Sequence, residues 1–349
     1  MTKAVFAIPG DKNRRTGGFI YEARVLDALN AIGCATRHLQ LPEGFPDPTA
    51  DDMAITLAAL RDVPVDHVII LDGLVFGAID PEGLAQVKAP VIAMIHHPLG
   101  LETGLTPARA AFLRKNEAAA LRHVAHTIVP SPETKAILCR EFGGVADQIT
   151  IASPGFDRPV VNRRVMDPPL ILSVGLLAPR KGHDILLAAL EHLSDLPWQA
   201  EIVGNAHDQT YADSLRAQTA ALGLTARVRF AGELDQMALN SRFNAASIFA
   251  LATRYEGYGL VLSEAMMFGL PVVSCRVGAV PVTVGDAGSL VPPDDPAALA
   301  QALRNILTSP QETARLSRLA TRRAAGLPGW QDTAQVFAEK IDHIRLAGV

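Results

Sequence analysis

Cysteine is scarce in this chain. Cys34, Cys139 and Cys275 are an odd number of residues set far apart among 349. That spacing excludes a disulfide framework and a clustered thiolate metal site, and it fits a reducing compartment. Charge is also thin, at 19% of residues, and a formal balance of −4 lacks the basic excess of a general nucleic-acid binder. No apolar run approaches a membrane span, and the first one, 4–9, is too short for a signal-peptide core, so the expectation is a soluble, cytoplasmic protein. Low-complexity tracts and short-period repeats are missing. So is a Gly-x-x-x-x-Gly-Lys-Ser/Thr phosphate loop, and Gly257-x-Gly259 lacks the third glycine of the dinucleotide fingerprint, which disfavours a kinase or an NAD-dependent dehydrogenase.

What is present is a 49% hydrophobic composition, ample for ordered structure, on a chain long enough to predict two domains. Short β-rich apolar runs alternate with segments of helical periodicity, the pattern of parallel βαβ units. Strands are expected at 4–9, 35–39, 67–71, 91–95, 126–129 and 149–151, with helices such as 19–32, 51–61, 107–121 and 132–140 between them. A second series follows, with strands at 170–174, 199–203, 228–231, 248–251, 272–275 and 289–291 and helices that include 183–193, 211–222, 260–268, 296–307 and 311–325. Between the two series lies a proline- and arginine-rich stretch that reads as a linker. The expected division is therefore 1–160, a linker at 161–169, 170–329, and a final amphipathic helix in 330–349 that crosses back to the first domain. Two α/β domains of this kind imply a ligand cleft near the carboxyl ends of their strands.

The densest motif runs from Arg254 to Pro271. It joins a strand to a helix through Gly257 and Gly259, so the amides around Tyr258, Gly259 and Leu260 can approach an anion closely. Glu264 lies four residues after Leu260 and points back toward the helix start, where its carboxylate can accept hydrogen bonds from sugar hydroxyls. Glu256 sits in the loop, free to meet another part of the same ligand. The plain alternative is a glycine-rich turn with two solvated glutamates. Arg180, Lys181 and Gly182 also follow a strand and open a helix, placing two cations where a diphosphate could be neutralised, or else forming an ordinary charged turn. In the first half, Gly17 and Gly18 follow the first strand, and His96 with His97 ends the fourth.

Taken together, these blocks resemble the family 4 retaining glycosyltransferases of the two-Rossmann GT-B fold. The resemblance rests on Glu256-Gly-Tyr-Gly-Leu-Val-Leu-Ser-Glu264 with Gly269-Leu-Pro-Val-Val downstream, on Val174-Gly175 to Asp184, and on Ile202-Val203-Gly204, Val228 to Gly232 and Gly288 to Pro296 in the family's order. It is strong over about 150–300 and weaker before that. It implies two Rossmann-like domains facing across a cleft, a nucleotide sugar as donor and an unidentified acceptor, whether glycan, lipid or small molecule. It also implies that Lys181 binds the diphosphate, Glu264 the nucleotide, and Glu256 with His96 and the Gly17–Gly18 loop the transferred sugar. Two positions depart from the family pattern: Leu176 stands where an Arg usually follows the glycine, leaving Arg180 as the candidate replacement, and Val282 stands where many relatives carry Glu.

No Asp-x-Asp triplet of the kind that holds a metal-bound sugar nucleotide occurs, so the chemistry is expected to need neither metal nor cofactor. Two rival functions share the architecture: a nucleotide-sugar 2-epimerase, which needs no acceptor, and a non-catalytic two-lobed binding protein. The helix carrying Arg109, Arg114, Lys115 and Arg122 is mildly basic, but Glu117 is expected to dilute that charge and weaken any contact with anionic lipid.

Overall fold

The computed structural model describes residues 3–14, 16–206 and 208–347. Twelve strands form where the apolar runs predict them. In the first unit these are β1 (Ala4–Pro9), β2 (Thr36–Leu41), β3 (Val68–Asp72), β4 (Val91–Met94), β5 (His126–Val129) and β6 (Ile149–Ile151). The second unit holds β7 (Leu170–Val174), β8 (Gln199–Val203), β9 (Val228–Gly232), β10 (Ile248–Leu251), β11 (Val272–Cys275) and β12 (Gly288–Val291). Strands such as β1 and β3 are buried along their whole length, because helices cover both faces of a parallel sheet and their sequence must be continuously apolar.

Each unit is one six-stranded sheet with all pairings parallel. The order is β2-β1-β3-β4-β5-β6 in the first and β12-β11-β10-β7-β8-β9 in the second. Strand order reverses between β1 and β3 in one sheet and between β7 and β10 in the other. At such a point the loops leaving two neighbouring strands diverge and open a crevice at their carboxyl ends.

The units are residues Met1–Asp157 with Pro328–Val349, and Arg158–Leu327. The closing helix Trp330–Ala347 lies on the helix Gly17–Ala31, where Ala334, Phe337 and Ile341 share one buried cluster with Tyr21, Val25 and Leu29. Gly155 is required at this junction, since a Cβ there would fall 2.4 Å from the Trp330 backbone. The stretch expected as a linker instead belongs to the second unit. Arg158 donates to the carbonyls of Ala324 and Leu327, and Arg163 to those of Phe243 and Ala246, so guanidinium groups bind the carbonyl-rich ends of two helices.

Four helices were not anticipated: Gly73–Ala78, Pro81–Leu84, Gln236–Ala245 and Val280–Val284. Three are too short to show a period, and Gln236–Ala245 buries only Phe243 and so has no apolar stripe. Side-chain caps start three of them, from Asp72, Asp80 and Asp235.

Candidate functional site

In the second unit the switch-point loops after β7 and β10 carry the predicted residues and are tied to each other. The Arg180 carbonyl accepts from the Arg254 amide at 2.8 Å and lies 3.0 Å from the Thr253 hydroxyl oxygen. Gly182 has a left-handed backbone at φ 65°, and any Cβ there would lie 1.9 Å from the Ala252 carbonyl oxygen, so only glycine allows the two loops to meet. The stem of Lys181 crosses Gly175, where an added Cβ would sit 3.2 Å from its Cγ and Cδ.

Lys181 and Glu256 form the centre of this arrangement. Lys181 Nζ donates to Glu256 Oε1 at 2.6 Å, Thr253 Oγ1 donates to the same oxygen at 3.0 Å, and Arg180 Nη1 lies 3.9 Å from Oε2. Glu256 is only 6% exposed. Burial alone pushes its carboxyl up, but the charges of Lys181 and then Arg180 outweigh that and hold it below its ordinary value. Glu256 is therefore not the free loop carboxylate expected from the sequence; two cations close by and a hydroxyl donor draw it inward. Arg180 is turned the same way, its Nη1 donating to the Tyr255 carbonyl at 3.2 Å.

Four residues to which the motifs gave no role brace this loop. Arg254 forms a two-pronged pair with Asp184 at 3.1 and 2.8 Å and reaches Asp294 at 2.7 Å, while the Tyr211 hydroxyl donates to Asp184 at 2.9 Å. Arg254 and Asp184 stand inside the recognised blocks, so their identities were in view, but 70 residues of chain separate them. Gly278 makes a further close approach, since a Cβ there would fall 2.4 Å from the Glu256 carbonyl oxygen, which accepts from the Ala279 amide.

Beyond the loop, the helix Leu260–Met267 starts at Gly259 with φ 84° and without a side-chain cap. Tyr258 is fixed through its carbonyl, which accepts from Thr283 Oγ1 at 2.6 Å, and Gly257 lies between it and Glu256. Glu264 is on this helix, and its carboxyl makes no hydrogen bond to another described residue. Burial pushes it up to about 7.

In the first unit, Gly17 and Gly18 are the first two residues of the helix Gly17–Ala31, whose preceding residue, Thr16, gives no side-chain cap. His96 stands two residues past the end of β4, after Ile95, and lies under Gly18, where a Cβ would be 3.3 Å from its Cδ2. Its Nε2 is 3.2 Å from Glu22 Oε1. Glu22 is fully buried, as Asp72 at the end of β3 nearly is. Burial lowers the imidazole to about 4 and raises Glu22 to about 7.

Glu117 corrects the expected surface charge. It is fully buried rather than diluting a basic face, and it accepts the Leu99 and Gly100 amides at 3.0 and 3.1 Å, which fixes the turn just after His96 and His97. Among the described residues no helix is long and apolar enough to cross a membrane.

Residues 157–323 match the model of the family described as glycosyl transferases group 1. A D-inositol 3-phosphate glycosyltransferase of Streptomyces avermitilis is 32% identical over 64% of this chain and 52% of its own length. An MMP alpha-(1->4)-mannosyltransferase of Mycolicibacterium hassiacum is 26% identical over 83% of this chain and 74% of its own. The chain spans about half the length of most of the curated relatives it matches. Among solved structures, sucrose-phosphate synthase from Thermosynechococcus elongatus aligns at TM-score 0.85 with 22% identity, covering 99% of this chain and all of that one. Anabaena HepE, solved with UDP and glucose, aligns at 0.76 with 20% identity over 98% of this chain and 100% of its own. These likenesses show the fold, two Rossmann-like domains of the GT-B type.

Proposed function

We propose, from the match of its second unit to the group 1 glycosyl transferases, that the chain moves a sugar from a nucleoside diphosphate sugar to a nucleophilic acceptor, with the anomeric configuration retained. The observation that carries this reading is the buried Lys181–Glu256 pair at the β7/β10 switch point, beside the uncapped helix that begins after Gly259. A cation held by a carboxylate keeps its place and its charge before the ligand arrives, which is the preorganisation that an arriving or departing diphosphate needs. We assign the diphosphate to Lys181, Arg180 and the amides of Gly257 to Leu260, and the ribose hydroxyls to Glu264. Glu256 fixes Lys181 and presents its remaining oxygen to the donor. Within the first unit, Gly17, Gly18 and His96 form the surface assigned to the transferred sugar.

UDP is the first nucleotide to test, because HepE was solved with it; GDP and ADP serve as comparisons. Calorimetry should show Lys181→Ala weakening nucleoside diphosphate binding by ~1.5–3 kcal/mol, the range of charge-assisted hydrogen bonds. Equal affinity in Lys181→Ala, Arg180→Ala and the double variant would remove the phosphate assignment. Transfer is expected to survive EDTA. Proton NMR of the fresh product should show the donor's anomeric configuration, and an inverted linkage would defeat the retaining mechanism. Incubation with donor alone separates transfer from 2-epimerisation.

A further inference from the structure

Glu22 occupies a place that neither the family blocks nor the assigned binding surface explains. It lies on the helix Gly17–Ala31, one turn beyond Gly18, and is fully buried with Oε1 3.2 Å from His96 Nε2. Its carboxyl also lies within hydrogen-bonding reach of the Asp72 carboxyl. Asp72 in turn uses Oδ1 to accept the Leu74 and Val75 amides at 2.8 and 3.1 Å. The next residue, Gly73, touches the His96 strand directly, since a Cβ there would fall 2.8 Å from the Met94 carbonyl oxygen and 3.6 Å from the His96 amide. The helix Gly17–Ala31, the end of β3 and the end of β4 therefore bring two carboxyl groups and one imidazole into a single buried row.

Two carboxylates in contact away from water cannot both be ionised, and a hydrogen bond between them requires one proton. Asp72 is the better anion of the two, because two backbone amides already point at it. Glu22 Oε2 meets no donor, which suits an oxygen that is itself the donor. We infer that Glu22 and Asp72 are positioning residues that share one proton, carried by Glu22 and donated to Asp72, and that the outer Glu22 oxygen thereby accepts Nε2–H of a neutral His96. The chain of bonds fixes the imidazole in one tautomer, with the Nδ1 lone pair as its remaining acceptor. Such a nitrogen suits a hydroxyl group that donates a hydrogen bond, which is what a sugar offers. Burial raises both carboxyls, Glu22 to about 7 and Asp72 well above its ordinary value with the Glu22 charge adding to the rise, and it lowers His96 to about 4, so the two acids hold one proton between them. Among the described residues, Asp72 and Glu22 are the carboxyl groups that bear on His96, and the Tyr21 ring packs edge-on against it.

The state of His96 is argued from the first unit alone, and only its use by a sugar rests on the function proposed above. The test therefore uses the full-length, ligand-free protein. Nitrogen-15 histidine spectra are expected to show His96 as the neutral Nε2–H tautomer from pH 5 upward. Carbon-13 glutamate spectra are expected to show Glu22 still protonated at pH 6. Glu22→Gln supplies an amide that donates to Asp72 and a carbonyl that accepts from His96, so the tautomer and the low imidazole pKa should persist. Asp72→Asn keeps the acceptor for the two amides but turns a donor toward Glu22, which then ionises. His96 should gain proton affinity by at least ~100-fold, returning to or above the ordinary histidine range. An Nδ1–H tautomer, an ionised Glu22 at pH 6, or an Asp72→Asn titration equal to wild type would overturn the inference. Should Asp72→Asn fail to fold, the wild-type Glu22 signal still decides it. Absence of nucleotide binding would defeat the proposed function while leaving these spectra to stand or fall separately.

Discussion

Glu256 in the second unit and Glu22 in the first are both shut off from solvent, at 6% and 0% exposure, yet they settle their charge in opposite ways. Glu256 stays ionised because Lys181 and Arg180 lie against it. Glu22 keeps a proton because its neighbours are another acid and a neutral imidazole. An ion pair leaves full charges at the surface, which suits phosphate. A row that shares one proton keeps its single charge inside, on Asp72, and turns the neutral His96 outward as a fixed acceptor, which suits hydroxyls. The same side chain thus serves two ligand chemistries, and its partners decide which.

The largest effect should come from breaking the ion pair. Lys181→Ala leaves a buried carboxylate without its main cation and should cost ~3–5 kcal/mol of stability in the second unit. Adding Glu256→Gln should restore much of that loss. Each unit has its own tryptophan, Trp198 in the second core and Trp330 on the closing helix, so urea melts followed in single-tryptophan variants would show which unit is weakened. Equal weakening of both signals would contradict a local origin.

A smaller effect with the opposite sign is expected at Glu264. Its carboxyl titrates at about 7 in the fold and near 4.5 when unfolded. Between those values the unfolded chain releases a proton that the folded chain keeps, so this residue lowers stability as pH rises and its cost is complete above about 7. Glu264→Gln should gain on the order of 2 kcal/mol at pH 8 and nothing at pH 4, while losing nucleotide affinity. Paired melts at the two pH values check this, and a pH-independent gain would deny the raised pKa.

Thr253→Val removes one donor from Glu256 and should cost ~1 kcal/mol, measured by the same melts. Least of all should be Glu22→Gln, within ~0.5 kcal/mol of wild type, because an amide N–H donates to Asp72 in place of the shared proton. A loss there as large as that of Lys181→Ala would erase the distinction between the two units.

The strands were legible because a doubly covered parallel strand must be apolar throughout, and β1, β3 and β10 stand out on that ground alone. The residues proposed to meet phosphate stood out in the sequence because their glycines and cations fall in short blocks next to strand ends. Glu22 and Asp72 were not, since a glutamate six residues into an amphipathic helix reads as solvated charge and a strand-end aspartate as a cap. Nothing local reveals that β3 and β4 bring both against His96. Glu117 misled for the same reason: it stands among Arg114, Lys115 and Arg122 in the sequence, and only the amides of a distant turn explain why it faces inward.

The path of the chain carries a consequence for the order in which its parts can mature. The second unit, Arg158–Leu327, is one unbroken stretch inserted in the first, which resumes only at Pro328. During synthesis the inserted unit is therefore complete while the first still lacks Ala334, Phe337 and Ile341 of its buried cluster. The usual N-terminal-first sequence of maturation is reversed here. Until the ribosome delivers the helix Trp330–Ala347, Tyr21, Val25 and Leu29 present an open apolar face, so of the two units the one begun earlier is the later to be sealed.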